Sequence, residues 1–592
     1  MRITQLIRRH ARLLALLAML GAFAAAPYLI PGNPDSAVFR NGTLGFMLLL
    51  GCLPTLCDTF RRASLSQLLC GMGVGLLFSI ALSLGSELYV YDGLLSGMGS
   101  MLRRLAVPLM AAPLLGGLCT RLLLVRMPTR ERGRIPFWGF MLALLICWLP
   151  LLLAYYPAAL NYDLPEQFSQ AASGLYSDYQ PVLHTLMFTA AFRIGDLIGS
   201  RTTGMLLLTL LQMALFAASL SYSLVFMQKR GAPRMAVLAL AALYALHPIF
   251  SVMSISTTKD TLFAGALLML SLLVWEAIED TQAFFKSRAR LFVFVLSAAL
   301  ASLMRTNGVI VLIVTLLILL VMLRGFRRQA LLLSASCAGA LVLVLTALNL
   351  TIAPAKVPSF QFYSLTAQQL VRAYNNADLP QSDREEIAAW YDSPEGLAVH
   401  PHLADSAKGY LNRERITASG SDFLALWARI APDALHEYVE AFLMLNIGSW
   451  YPDDLSHSTI YPDVSWNDKG YLQTQEFDMS EYGVESRCYL PQAAQFFERI
   501  CRRNAYQKYP VVSQLFCTAT PLWITFIACA LLISRRAARL LPSPLITICL
   551  WGSYLIFGPC TLPRYMLPLF CFAPVLLISA LLLPIPQNPA KE

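Results

Sequence analysis

The chain has 592 residues, of which 57% are hydrophobic and only 14% charged, with a formal net charge of +10. Soluble domains keep about a quarter of their residues charged, so this composition excludes an ordinary soluble protein, and equally a disordered or collagen-like one. The charge is split: residues 354–512 hold 21 of the 35 acids and 13 of the 45 bases, net −8, while the remainder is net +18 and places its bases in short loops between apolar runs. That pattern is the positive-inside signal of a polytopic membrane protein and gives no reason to expect a nucleic-acid partner.

The first element is a basic start, Arg8, Arg9 and Arg12, followed by an apolar run to Ile30. Ala24-Ala25-Ala26 resembles a signal-peptidase site, but the many later spans favour an uncleaved signal anchor. Fourteen apolar stretches are expected to cross the membrane: 13–30, 42–58, 65–85, 103–125, 136–157, 202–226, 235–251, 260–277, 291–304, 308–323, 330–352, 513–534, 543–559 and 565–584. Most are long enough for a hydrocarbon core of ~30 Å at a rise of ~1.5 Å per residue. The stretch 181–199 is moderately apolar but carries His184, Arg193 and Asp196. If it does not cross, the seven basic clusters around Arg8, Arg61, Arg121, Lys229, Lys286, Arg324 and Arg535 all fall on one side; if it does, the last four flip. The positive-inside rule therefore makes it an amphipathic surface helix on the outer face, with both termini cytoplasmic.

Two segments then lie outside: the loop 158–200 and the insert 354–512, the size of an ordinary domain. The insert reads as mainly helical. Ser382-Asp383-Arg384-Glu385 is a capping box, and Ser421-Asp422 opens a helical run to about Asn446. Gly448-Ser449-Trp450-Tyr451-Pro452-Asp453-Asp454 follows as a turn-rich segment without helical period. Ten of the 13 cysteines lie in apolar spans without metal-ligand spacing and read as small core residues; Cys517 sits at a span entrance, and Cys488 and Cys501 can pair if the insert is exported.

Four places can carry chemistry. In the loop after the fifth span, Asn161-Tyr162-Asp163-Leu164-Pro165-Glu166 and Tyr176-Ser177-Asp178-Tyr179-Gln180-Pro181-Val182-Leu183-His184 crowd carboxylates and tyrosines at the membrane surface. A carboxylate there can act as general base; the bland alternative is a solvated loop with interfacial tyrosines. Next, Lys259-Asp260 stands at an outer boundary after His247-Pro248 and Ser256-Thr257-Thr258. Lys259 can hold a phosphate as a point charge, or the pair is a salt-bridged helix start. Arg305, in Arg305-Thr306-Asn307-Gly308, ends a run of only 14 apolar residues, and a guanidinium at that depth either seeks an anion or snorkels. Arg564, in Pro563-Arg564-Tyr565, opens the last span and, like Lys259 and Arg305, breaks the positive-inside trend.

The order of these features resembles the GT-C superfamily of integral membrane glycosyltransferases, the group with protein mannosyltransferases and aminoarabinose transferases. The resemblance covers about 136–352 and 513–584: an external loop with an early Asp163, a proline-led surface helix, alternating spans, an Arg-Asn-Gly element and a late Pro-Arg-Tyr. With Gly448-Ser449-Trp450-Tyr451-Pro452 included, the pattern more closely resembles a family of bacterial multispanning proteins of unknown function. The resemblance implies an all-α integral membrane protein of about fourteen transmembrane helices: a four-helix extension (1–135), a GT-C-like core (136–353), a mainly helical extracytoplasmic domain (354–512) and C-terminal membrane helices (513–592). It further implies transfer of a sugar from a polyprenyl-phosphate donor to a glycan, lipid or protein acceptor on the outer face of a bacterial plasma membrane. Asp163 matches the catalytic carboxylate, and Lys259, Arg305 and Arg564 match positions that cradle the donor phosphate. Glu166, Asp178, His184, Asp260 and Trp450 are candidate acceptor or sugar contacts. Many relatives carry an Asp-x-Asp or Asp-Glu pair, whereas Asp163 precedes Leu164, a departure that puts a divalent metal cofactor in doubt without removing it. A lipid-carrier flippase and a non-catalytic envelope assembly protein are the alternatives from other classes.

Overall fold

The computed structural model describes residues 2–29, 42–129, 134–161, 163–357, 360–453, 479–501 and 510–586. Tyr162, Asp454 and the side chain of Cys501 are outside the described residues, whereas Cys488 is a free, exposed thiol. The N-terminal helices are α1 (Arg2–Arg9), α2 (Ala11–Leu29), α3 (Gly42–Arg62), α4 (Leu65–Tyr91) and α5 (Met98–Leu123). Ser64 and Gln67 form a capping box that starts α4. The pair α4–α5 packs closely because α4 presents Gly71 and Gly75 and α5 presents Gly116: a Cβ on Gly75 would overlap the Gly116 backbone. This is small-residue packing of the kind that holds membrane helices together.

Next come α6 (Phe137–Ala154), the loop helices α7 (Leu164–Ser173) and α8 (Val182–Ile198), then α9 (Arg201–Lys229), α10 (Arg234–Leu246), α11 (Pro248–Ile255) and α12 (Asp260–Glu279). Pro248 cannot donate to the helix ladder, and the chain bends by 52° between α10 and α11. His247 sits extended at the break, its Nδ1 accepting from the Ile249 amide at 3.2 Å. After the short α13 (Thr281–Lys286) come α14 (Arg288–Met304), α15 (Thr306–Met322) and α16 (Arg327–Thr351). Arg305 is a single extended residue between α14 and α15, and Gly308 lets the two helices meet, since a Cβ there would overlap the Ala301 carbonyl.

Among the described residues, eight helices are long and apolar enough to cross a membrane, or nine if the bent pair is one span. The chain is therefore a multi-pass membrane protein, and its described residues form helices and no named strands. Thirteen of the fourteen expected stretches fall on one helix or on the bent pair, whereas 513–534 is divided between the helices Pro510–Phe516 and Thr520–Ser534; several, such as Thr306–Met322 and Pro542–Phe557, are shorter than a full span. The stretch 181–199 forms α8, which is not among the eight. Burial orders the bundle: the core window of α12 is 94% buried and that of the 324–351 stretch only 11%, so α12 is the central post and α16 a peripheral helix.

The seven basic clusters share one end of the bundle. Asp58 binds Arg62 and Arg121, and Arg12 and Arg61 line the same groove as Asp58. Arg535 donates to the Val125 carbonyl, and Gln228 Nε2 to that of Ile135 at 3.0 Å. Arg230 pairs with Glu279, Arg290 with Glu276 at 3.1 Å, and Phe285 stacks on Phe326. The opposite end carries the loop 158–200 and the insert.

The insert comprises α17 (Ser364–Asn376), α18 (Gln381–Ala388), α19 (Ala404–Gly409), α20 (Arg413–Ile430), α21 (Leu435–Leu445), α22 (Ile447–Trp450) and α23 (Pro491–Cys501), with its own apolar core around Leu370, Trp390 and Phe423. Glu440 fastens it to the α4–α5 turn by accepting from the Leu94 amide at 2.8 Å while pairing with Arg372. Several sequence expectations need correction here. Pro380, not Ser382, precedes α18, and no side chain caps it. Asn412 caps α20, which kinks at Ser419 before reaching Ser421, and the run to Asn446 is two helices because Pro432 cannot continue α20. Part of the segment read as turn-rich is the short helix α22, whose Ser449 hydroxyl donates to the Asn446 carbonyl. The chain closes with α24 (Pro510–Phe516), α25 (Thr520–Ser534), α26 (Pro542–Phe557) and α27 (Pro563–Leu582).

Candidate functional site

A cavity of about 490 Å³ lies at the insert end of the bundle, lined by Asp163, Asp178, Lys259, Arg305 and Arg564 among others. Helices α12, α15 and α27 begin at this cavity, as do α7, α8 and α20, so the positive ends of several helix dipoles converge on it.

Asp163 is held in place by a short backbone splice. The Ala159 amide donates to the Ile255 carbonyl, the Thr257 amide to the Ala159 carbonyl, both at 3.0 Å, and the Asn161 amide to Thr257 Oγ1 at 3.0 Å. This ties the start of the loop to the α11–α12 junction and sets Asp163 beside Lys259, whose Nζ is 3.5 Å from Asp163 Oδ2. Arg564 Nη1 reaches the same oxygen at 3.7 Å. Lys259 also donates to Gln180 Oε1, which fixes the entrance to α8.

Below them lies Asp260, 1% exposed. Its Oδ1 accepts from Arg305, its Oδ2 is 3.6 Å from Arg564 Nε, and Thr258 Oγ1 donates to it at 2.9 Å. One buried carboxylate thus orients two guanidiniums from different helices. Arg305 also lies over Tyr565 and Tyr554, 4.6 and 5.3 Å from the ring centroids, and the two rings stack 5.2 Å apart. Tyr554 lines the cavity, and its buried hydroxyl has no hydrogen-bond partner among the described residues. Three cations therefore face two carboxylates, which leaves a positive charge that an anion can balance.

The roof belongs to the insert. Asp405 and Lys408 of α19 pair at 2.5 Å, Arg413 opens α20, and the Ala404 amide donates to the Pro559 carbonyl at 2.7 Å. Asp178 lines the wall, but its carboxylate is engaged with the Val357 amide at 2.7 Å and Lys356 Nζ at 3.2 Å.

Glu166, His184 and Trp450 do not line the cavity. Glu166 reaches solvent from α7, but the protein around its carboxyl removes part of its hydration and, with the Asp163 charge adding to it, pushes that carboxyl up from the usual range. His184 is buried 3.0 Å from the Gln167 amide, and burial, with the Lys259 charge adding to it, lowers its imidazole to about 3, so it is a neutral packing residue at physiological pH. Trp450 packs between the insert and the membrane helices, its carbonyl accepting from Trp523 Nε1 at 2.9 Å. Sequence reasoning missed Gln180 as the Lys259 partner, the Tyr554–Tyr565 stack and the Asp405–Lys408–Arg413 roof. Tyr565 stood in the Pro-Arg-Tyr triplet, but the roof residues carried no local signal. Among the described residues no three His, Cys, Asp or Glu side chains gather to hold a metal ion.

Fold and site together define a multi-pass helical membrane protein with a charged cavity at one end of its bundle. The chain belongs to the family of unknown function DUF6020, which matches residues 170–583. That range contains Lys259, Arg305 and Arg564 and starts just after Asp163. No curated protein and no solved structure matches the chain significantly.

Proposed function

We propose that the protein is an inverting glycosyltransferase of the GT-C type, which moves a sugar from a polyprenyl-phosphate donor to a glycan, lipid or protein acceptor. The membrane is a bacterial plasma membrane crossed by fourteen spans, with both termini cytoplasmic and the cavity on the outer face. The observation that carries this reading is the convergence of Asp163 with Lys259, Arg305 and Arg564 around one cavity.

In this scheme the acceptor hydroxyl attacks the anomeric carbon, the bond from that carbon to the phosphate oxygen breaks, and the acceptor proton passes to Asp163. The departing lipid phosphate gains charge, and Lys259, Arg305 and Arg564 stabilise it where that charge develops. The ion pairs of Asp163 fit this sequence: an arriving phosphate competes for Lys259 and Arg564 and so releases the carboxylate to act as base. Ile310 of α15 lines the cavity, and Ile313, Leu317 and Val321 further along the same helix are exposed, an apolar surface that suits a polyprenyl chain. The bend between α10 and α11 favours a second reading, since transporters build their sites on broken helices. Both readings are tested by incubating membranes with a panel of lipid-linked sugars and following the label. Transfer to an acceptor is expected; movement of intact donor between leaflets without transfer would mark a flippase instead.

A further inference from the structure

A second cavity, of about 480 Å³, lies between α2 and α3 at the end of the bundle away from the insert. Its wall is apolar, with Leu16, Leu53 and Pro54, and its rim carries Arg12, Arg61 and Asp58. The place is fixed by α5: its first turns carry Arg104, bound to the Leu95 carbonyl beside the insert, while Arg121 in its last turn binds Asp58.

Charge at this rim is strongly unbalanced. Asp58 spends both oxygens internally, Oδ1 on Arg62 at 2.5 Å and Oδ2 on Arg121 at 2.6 Å. Arg12 and Arg61 are exposed at the groove, so four guanidiniums gather around one carboxylate. Helix α1, which packs on α3, adds Arg8 and Arg9 in its last turn and leaves Ile3 and Leu6 exposed, as an interfacial helix does. A guanidinium fork matches phosphate geometry, and basic pockets between membrane helices recognise anionic headgroups. The apolar wall directly beneath the rim distinguishes a lipid from a free ion, because only a lipid covers Leu16 and Leu53 with its acyl chain.

We propose that this groove binds one anionic phospholipid, its phosphate held by Arg12 and Arg61 and its acyl chain laid along Leu16, Leu53 and Pro54. The site is independent of the catalytic reading and lies outside the family-matched residues.

The test uses the full-length protein in nanodiscs of phosphatidylcholine with or without phosphatidylglycerol, followed by native mass spectrometry. The wild-type chain is expected to retain one more tightly held phosphatidylglycerol than R12Q/R61Q, while R12K/R61K holds it more weakly than wild type but more tightly than R12Q/R61Q, because the charges remain and the forks are lost. Matching unfolding midpoints of wild type and R12Q/R61Q in pure phosphatidylcholine establish that the variant is folded. Equal phosphatidylglycerol retention by wild type and R12Q/R61Q overturns the proposal. Retention of added inorganic phosphate in place of phosphatidylglycerol overturns it in favour of a free-anion site.

Discussion

At the residue scale, the candidate site turns on two carboxylates with different surroundings. Asp163 is partly open to the cavity and sees its cations at 3.5 and 3.7 Å, whereas Asp260 is sealed beneath Arg305 and Arg564. Breaking a buried ion pair by removing one partner typically costs about 3–5 kcal/mol, because the other charge stays buried. Asp260→Asn should therefore lower the thermal unfolding midpoint in detergent and weaken donor binding together; an unchanged midpoint would contradict the anchoring role. Arg305→Ala should weaken binding of a lipid-phosphate donor by roughly 10- to 100-fold, the worth of a charge-assisted hydrogen bond. Arg305→Lys should fall between, since Lys keeps the charge but not the fork; equilibrium donor-binding titrations measure both. His184 supplies a pH prediction. Its imidazole stays neutral in the fold down to about 3, whereas in the unfolded chain it takes up a proton near 6.5. Between those values the unfolded state binds more protons, so stability is full above about 6.5 and falls as pH drops toward 3. His184→Gln should flatten that part of the midpoint-against-pH curve.

At the element scale, apolar runs are legible because membrane helices announce themselves by length and composition; thirteen of the fourteen expected stretches fall on one helix or on the bent pair, and 513–534 is broken between α24 and α25. Boundaries in the insert were not. Ser382-x-x-Glu385 satisfied the capping pattern, but Pro380 fixes the chain entry two residues earlier and places Ser382 inside the helix. At the site, Lys259, Arg305 and Arg564 stood out as bases at span ends, against the charge trend. Gln180 and Tyr554 did not, because a polar amide in a loop and a tyrosine in an apolar span are ordinary until the fold brings them to Lys259 and Arg305. Trp450 looked functional because it stood in a conspicuous turn-like motif, but its environment is packing. The α4–α5 contact gives an element-scale prediction: Gly75→Ala places a methyl against the Gly116 backbone, and overpacking of this kind costs about 1–3 kcal/mol. Thermal unfolding of that variant should show the loss, and Gly73→Ala, on an open face, should not.

At the scale of the whole molecule, the basic clusters, gathered at one end by contacts such as Arg535 with Val125 and Phe285 with Phe326, oppose the end that holds the cavity and insert. In the orientation proposed above, which follows the positive-inside rule, the cavity faces outward. In a chain whose only cysteine is Cys488, a membrane-impermeant thiol reagent should label intact cells, while a lone cysteine at position 288 should react only after lysis; the reverse pattern would invert the orientation. A cavity on that face would accord with the proposed lipid-linked donor. The most direct measurement compares sugar transfer and donor binding in membranes carrying wild type or Asp163→Asn. Asparagine keeps the shape but cannot take the acceptor proton, and general-base catalysis contributes roughly 10²–10⁴-fold. Transfer should fall by that order while donor binding is unchanged or tighter, because Lys259 and Arg564 lose a competing carboxylate. Full transfer activity in Asp163→Asn, or a parallel loss of donor binding, would contradict the account.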